Sequence, residues 1–445
     1  MVGKCSCKEV AEAASDRLAP LQVGVAVPGG AEAAIHVARQ WFTRNRGDRD
    51  KVFAKLDLSS AYAFNTLDRR AILRAVHEDF PALAPWADWC YGSPSLLFLG
   101  KQTLRSECGV QRGDPLGPLL FSLALQRCAE TARRSLRELA QDADLELTFF
   151  YLDDGCAAGD RQAVARFLHL VVAELAAVGL NLSTGPGKCE VVPAAGADSN
   201  VSAADFPPGF RLRTDGCLEL LGAPIGGDDF CRKHAQKRVK KAAEVLDALA
   251  GLENAQVGLH LLRQCASYCK LGYSARVVPP SAHTEALLEM DAAVRSCLEQ
   301  LACASLADDS WAQAQLNLNK GGLGLRSAEK HSPAAYLSSR AKNGELCRPT
   351  RAGYANDDAG VAGALTATPQ AHAASVTGAD RAPSFDGETH SNQKILGPGR
   401  RRRARHPLEP LFARDARAPR PRGRARRQRA PAGATPRGVW HSGLA

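Results

Sequence analysis

The sequence predicts an α+β chain, and three observations predict it. Short β-favouring runs fall in the first half of the 445 residues, at 52–58, 95–105, 145–151 and 187–192. Amphipathic helical stretches stand between them. From residue 228 to about 306 the pattern is helical throughout, broken at Gly251 and at Pro279-Pro280. Strands interleaved with helices, then helices alone, describe a sheet-containing body followed by a helical domain. The length leaves room for two or three domains, and a hydrophobic content of 45% supports a sizeable core.

The formal charge of +10 is unevenly placed. Residues 396–445 hold fourteen arginines against Glu409 and Asp415, a balance of +12, so the rest carries about −2. Basic character therefore belongs to the tail. The fourteen cysteines are scattered, with Cys5-x-Cys7 and Cys265-x₃-Cys269 the close pairs and no zinc-finger spacing. This use of cysteine predicts reduced thiols in an intracellular protein without structural zinc. The first thirty residues lack a signal-peptide core and no run of eighteen apolar residues occurs, which disfavours secretion and membrane spanning.

In chain order, a helix is expected near 7–18, then a Pro/Gly loop (Val27-Pro28-Gly29-Gly30) and a helix over 31–43. A charged turn over 44–51 leads into the apolar strand 52–58, which presents Asp57 at its end. An Asp after a strand is ordinarily a helix N-cap. Residues 59–76 are helical in pattern, and 81–90 form a short helix. Residues 95–105 have the shape of a hairpin turning at Gly100-Lys101. A loop follows, Gly109-Val110-Gln111-Arg112-Gly113-Asp114-Pro115-Leu116-Gly117-Pro118, whose glycines permit close backbone approach. The amphipathic helix 119–139 carries Leu120, Leu123, Cys128 and Leu136 among its apolar positions.

The stretch Phe149-Phe150-Tyr151-Leu152-Asp153-Asp154-Gly155 is the most informative. An alternating, aromatic run arrives at two adjacent carboxylates and a glycine, which reads as strand, tight turn, strand with both aspartates at the turn. Neighbouring side chains on a strand diverge, so only a turn lets two carboxylates approach one point, and like charges so close call for a cation. Mg²⁺ is the natural occupant. Further on, 161–178 is a helix closed by Gly179, Gly187-Lys188-Cys189-Glu190 opens a strand carrying one Lys, and 217–226 reads as a strand with a glycine-rich turn. A last helix is expected over 334–341. Beyond about 343 periodicity ends, and residues 343–445 are expected to be disordered.

Three aspartates on strand ends and turns, a glycine loop and a later Lys form a candidate phosphoryl-transfer site. Asp57 and Asp153 would bridge two divalent ions and Asp154 would complete the charge balance, the arrangement of polymerases and nucleases alike. Composition leaves open whether such a site builds or cuts a strand.

The order of motifs resembles a reverse transcriptase of the non-LTR retrotransposon and group II intron kind, over roughly residues 20–340. Lys55-Leu56-Asp57-Leu58 with Ala61-Tyr62 and Phe64-Asn65-Thr66-Leu67-Asp68-Arg69 is similar to the family's motif A, and 109–121 to motif B. Phe150-Tyr151-Leu152-Asp153-Asp154 is similar to the Tyr-x-Asp-Asp motif C. Gly179-Leu180-Asn181 leading to Lys188 is similar to motif D, and Leu220-Leu221-Gly222 to the primer-grip hairpin.

The resemblance implies a right-hand polymerase. Residues 1–50 would be partial fingers, 51–227 a palm of antiparallel strands with helices on one face, 228–342 a helical thumb, and 343–445 an Arg-rich tail. It implies that Asp57, Asp153 and Asp154 are catalytic and bind two Mg²⁺ ions, or Mn²⁺ in their place, with the carbonyl of Leu58 as a further ligand. Gln111, Arg112 and Gly113 would border the nucleotide and template, Lys188 would lie near the triphosphate, and Tyr62 or Phe64 would screen the sugar. Lys237, Arg238, Lys240 and Lys241 would meet duplex phosphates. The implied partners are an RNA template, a DNA primer and deoxynucleoside triphosphates, with no membrane.

Three departures stand out. The family's spacing selects Tyr62 as the sugar gate while the local text Ala-Phe-Asn selects Phe64. Arg112 occupies the place of a usual Gln and cannot accept a hydrogen bond. Fifty-six residues precede Asp57, so the sequence is expected to start inside the fingers. Two functional readings follow: an RNA-directed DNA polymerase, a nucleotidyltransferase derived from a retroelement, or an inactive remnant that keeps the fold and binds nucleic acid. Clustered arginines such as Arg400 to Arg403 suit sequence-blind phosphate binding, nuclear import or no role at all.

Overall fold

In the computed structural model, which describes residues 2–58, 63–111, 113–139, 145–350, 354 and 359–375, helices α1 (Val2–Glu9) and α2 (Ala11–Leu18) open the chain. The sequence expects one helix here; the axis breaks at Val10. Helix α3 (Gly30–Arg44) precedes the strand β1 (Lys51–Asp57), and α4 (Ala63–Thr66) precedes α5 (Arg69–Asp79), whose first turn is capped by Asp68 accepting from the Arg70 N–H. That cap is why the expected single helix is two pieces. After α6 (Ala84–Tyr91), strands β2 (Ser95–Leu99) and β3 (Gln102–Ser106) form the expected hairpin. The long α7 (Gly117–Leu139) leads to β4 (Leu147–Tyr151), β5 (Asp154–Asp160) and α8 (Arg161–Ala177). The Asp160 carboxylate caps α8 by accepting from the Gln162 and Ala163 N–H groups.

Strands β6 (Glu190–Pro193) and β7 (Arg211–Leu212) complete a five-stranded sheet in the order β4-β5-β1-β6-β7. The sheet is mixed: the first three pairings are antiparallel and β6–β7 is parallel, a correction to the purely antiparallel expectation. A second correction concerns its faces. Val52, Ala54 and Leu56 of β1 enter the core shared with α5, α7 and α8, while Phe53, with Phe149 and Ala158, enters a second core with Val37, Ala38 and Trp41 of α3. Both faces are therefore covered, and β1 is near-continuously apolar because a strand buried on both sides has no solvent face to make polar. The polar exceptions, Lys55 and Asp57, share the face of Phe53.

Strands β8 (Leu218–Leu220) and β9 (Ala223–Ile225) form a small hairpin over that second core. Helices α9 (Asp228–Ala250), α10 (Ala255–Leu261), α11 (Gly272–Val277), α12 (Thr284–Ala302) and α13 (Asp308–Gln315) follow, as the helical pattern predicts. With the adjoining segments they build a third core from residues such as Val239, Leu246, Leu262, Met290, Val294 and Leu325. Helix α14 (Ala328–Thr350) outruns its predicted 334–341 at both ends and packs on α3 and α11, and α15 (Ala359–Ser375) buries Val361 and Ala364 against Tyr336 and Leu337. Order thus continues past residue 343, where the sequence expects none: alanine-rich text lacks the two-sided contrast that periodicity needs, yet alanine is the best helix former. The rest of the expected tail, including Arg400 to Arg403, lies outside the described residues.

The β2–β3 hairpin stands apart from these cores. Leu96, Phe98 and Leu99 are 57%, 75% and 67% exposed, and Trp89 nearby is 77% exposed. All fourteen cysteines are free thiols. Among the described residues, no helix is long and apolar enough to cross a membrane.

Candidate active site

Asp57 ends β1 and Asp154 begins β5, and the antiparallel register sets them directly opposite one another. Opposed residues in such a pair lie about 4.5–5.5 Å apart at Cα with side chains on the same face. Asp153 belongs to the two-residue turn Leu152-Asp153 that joins β4 to β5, and its carbonyl accepts from the Leu58 N–H at 3.4 Å. The structure therefore gathers the three aspartates from two distant stretches at one end of the sheet. One detail differs from expectation: Asp154 is paired into the strand opposite Tyr151 and only Asp153 sits in the turn.

The electrostatics are those of crowded carboxylates. Burial, then the charges of Asp153 and Asp57, push the Asp154 carboxyl up to about 6. Asp153 is raised by burial and by Asp57. Two cations answer them: Lys188 Nζ lies 3.0 Å from Asp57 Oδ2, a contact that raises the Lys188 pKa, and the charge of Lys55 also draws the Asp154 carboxyl down. Asp57 Oδ1 is buried without a hydrogen-bond partner. An orphaned carboxylate oxygen beside two more carboxylates fits a hard divalent cation in donor chemistry. Among the described residues, however, no group of three or more His, Cys, Asp and Glu side chains is gathered closely enough to hold a metal ion as it stands. Lys188 supplies counter-charge directly at Asp57.

The other predicted positions divide. The Leu58 side chain is buried in the main core. Phe64 stacks on Phe121 of α7 at 4.2 Å between ring centroids, so its ring is engaged in packing. Tyr62 and Arg112 lie outside the described residues. Gln111 and Gly113 sit in the loop before α7, where the Gln111 N–H donates to the Tyr91 hydroxyl at 3.3 Å and Gly113 has φ +92°. On α9, Lys237, Lys240 and Lys241 are exposed, whereas Arg238 donates to the Gly222 carbonyl at 2.6 Å and so braces the β8–β9 turn.

Three residues that the sequence left unassigned organise this region. Lys55 is buried, and its Nζ donates to the carbonyls of Gly187 at 2.8 Å and Glu219 at 3.1 Å, tying the Lys188 loop and β8 to the strand that carries Asp57. Arg69 donates to the Gly109 carbonyl at 3.0 Å and the Ser106 carbonyl at 2.7 Å, suspending the loop ahead of α7. The Cys189 thiol, raised to about 11 by burial, lies against the Asp57 main chain. A basic residue inside an apolar strand was the legible signal for Lys55; nothing in the local text marks Cys189.

No protein-family model matches this chain, and no curated protein matches it.

Proposed function

We propose that the chain is an RNA-directed DNA polymerase, a reverse transcriptase of the retroelement kind that extends a primer 3′-hydroxyl. The observation that carries this reading is the register of Asp57 opposite Asp154 with Asp153 in the adjoining turn, because it brings the carboxylates of both motifs to the same end of the sheet. In this reading the five-stranded sheet with its helices is the palm and α9 to α13 are the thumb. Asp57, Asp153 and Asp154 would hold two divalent ions, which would supply Lewis-acid help for deprotonation of the primer hydroxyl and charge to offset the leaving pyrophosphate. Lys188 leaves Asp57 for the triphosphate, which offers its ammonium more negative charge than one carboxylate does. The loop hung from Arg69 borders the nucleotide, and Lys237, Lys240 and Lys241 meet the phosphates of the template–primer duplex.

One observation favours a second reading, the inactive remnant: Asp57 already has a counter-charge in Lys188. Primer extension on poly(rA)/oligo(dT) with Mg²⁺ or Mn²⁺ decides between them. The polymerase reading expects extension by the parent and none by Asp153→Asn; no extension by either supports the remnant.

A further inference from the structure

Leu152, the residue before the paired aspartates, has φ +56°. The left-handed region is unfavourable for a residue with a Cβ, and such a conformation persists where its surroundings over-determine it. The surroundings here are the side chain of Gln22, which is 2% exposed. Gln22 Oε1 accepts from the Leu152 N–H at 2.8 Å and from the Gly24 N–H at 2.9 Å, and Gln22 Nε2 donates to the Leu152 carbonyl at 3.2 Å. One carboxamide thus satisfies both main-chain groups of the strained residue.

The chain around Gln22 is built for this grip. The Phe150 N–H donates to the Leu21 carbonyl at 2.5 Å and the Val23 N–H to the Phe150 carbonyl at 2.8 Å, so residues 21–23 run as a short parallel bridge beside β4. A Cβ on Gly24 would come within 2.7 Å of the Leu152 nitrogen, so glycine is what lets the segment close on the turn. Glutamine suits the task chemically. Glutamate would accept from the N–H but has no donor for the carbonyl, and an apolar side chain would leave both groups unpaired.

We infer that Gln22 is a positioning residue for the carboxylate site: by gripping both main-chain groups of Leu152 it holds the turn left-handed and sets the direction in which Asp153 and Asp154 leave the hairpin. This rests on the metal-binding reading above, and Gln22 itself touches no reacting atom. The test is Mn²⁺ binding, with the metal alone as probe, followed by electron paramagnetic resonance on the full chain, its Asp153→Asn, Gln22→Ala and Gln22→Glu variants, and Gln22→Ala combined with Leu152→Gly. Gln22→Ala should weaken Mn²⁺ binding about tenfold, the usual scale for residues that orient a metal ligand, with a smaller loss in Gln22→Glu. Adding Leu152→Gly should restore most of the loss, because glycine takes positive φ unaided.

Unchanged affinity in Gln22→Ala, or a loss that Leu152→Gly does not recover, overturns the inference. Should Gln22→Ala not fold, Gln22→Glu carries the same comparison. If the parent shows no Mn²⁺ binding that Asp153→Asn removes, the metal reading itself fails. The grip is then decided by hydrogen exchange over residues 149–156, where faster exchange in Gln22→Glu supports it and unchanged exchange overturns it.

Discussion

Two partly buried acidic sites in this protein are provided for in opposite ways. Asp291 of α12 accepts from the Ser327 hydroxyl at 2.6 Å, the Ala328 N–H at 2.6 Å and the Glu329 N–H at 3.3 Å, so its carboxylate holds the first turn of α14. At the end of the sheet, three aspartates lie near Lys188 and Lys55, and Asp57 Oδ1 is left without a donor. Burial raises the pKa of Asp291 as it raises those of Asp153 and Asp154, so desolvation does not separate the sites. Supply of donors does. A carboxylate whose task is architecture is saturated by its own chain, whereas a carboxylate kept short of donors has bonding capacity left for something from outside.

Removing each acid in turn puts that contrast at risk. The largest effect belongs to Asp57→Asn, which should abolish Mn²⁺ binding and lower primer extension about 10³-fold, as expected when several kcal/mol of transition-state stabilisation are lost; metal titration and single-turnover extension read it. Next is Asp291→Ala, which strands a hydroxyl and two N–H groups and should cost about 3 kcal/mol of stability with Mn²⁺ affinity unchanged. Chemical denaturation beside the same titration checks it, and a loss of metal affinity there would dissolve the distinction.

The pH dependence of stability sharpens the comparison from the helical side. Burial, with the charge of Arg326, lowers His331 to about 4, and its ring N–H donates to the Ser327 carbonyl at 3.0 Å. Between pH about 6.5 and 4 the unfolded chain takes up this proton and the folded chain does not, so stability falls as pH falls through that window. The loss should be about 3 kcal/mol, and His331→Gln should flatten the profile by that amount in thermal melts. The smallest effect runs the other way at the sheet. The raised Asp154 pKa means that the folded chain holds its proton up to about 6 while the unfolded chain releases it near 4. Stability is therefore lost as pH rises from 4 to 6. In chelator at pH 7.5, Asp154→Asn should melt higher than the parent by about 1 kcal/mol once solvent screening is allowed for.

Much of this arrangement was legible in the residues. The run ending at Asp57 and the aromatic approach to Asp153 read correctly as strands because their apolar text is short and bounded by turn residues, and the helical character of residues 228–306 read correctly from its period. The two-sided burial of the sheet was not legible, since Phe53 and Ala54 look alike whether one face is covered or two. Nor was Gln22: a polar residue between Leu21 and Val23 gives no hint that its partner lies 130 positions away. Local pattern reports which way a side chain faces, and only the fold reports what it meets there.

The hairpin of β2 and β3 has a practical consequence. A two-stranded ribbon whose leucines and Phe98 face water offers open main-chain edges together with greasy side chains, the combination that lets neighbouring molecules zip together. In concentrated solution this projection is where clumping would begin, and replacing Phe98 with lysine is the first change to make before crystallisation trials.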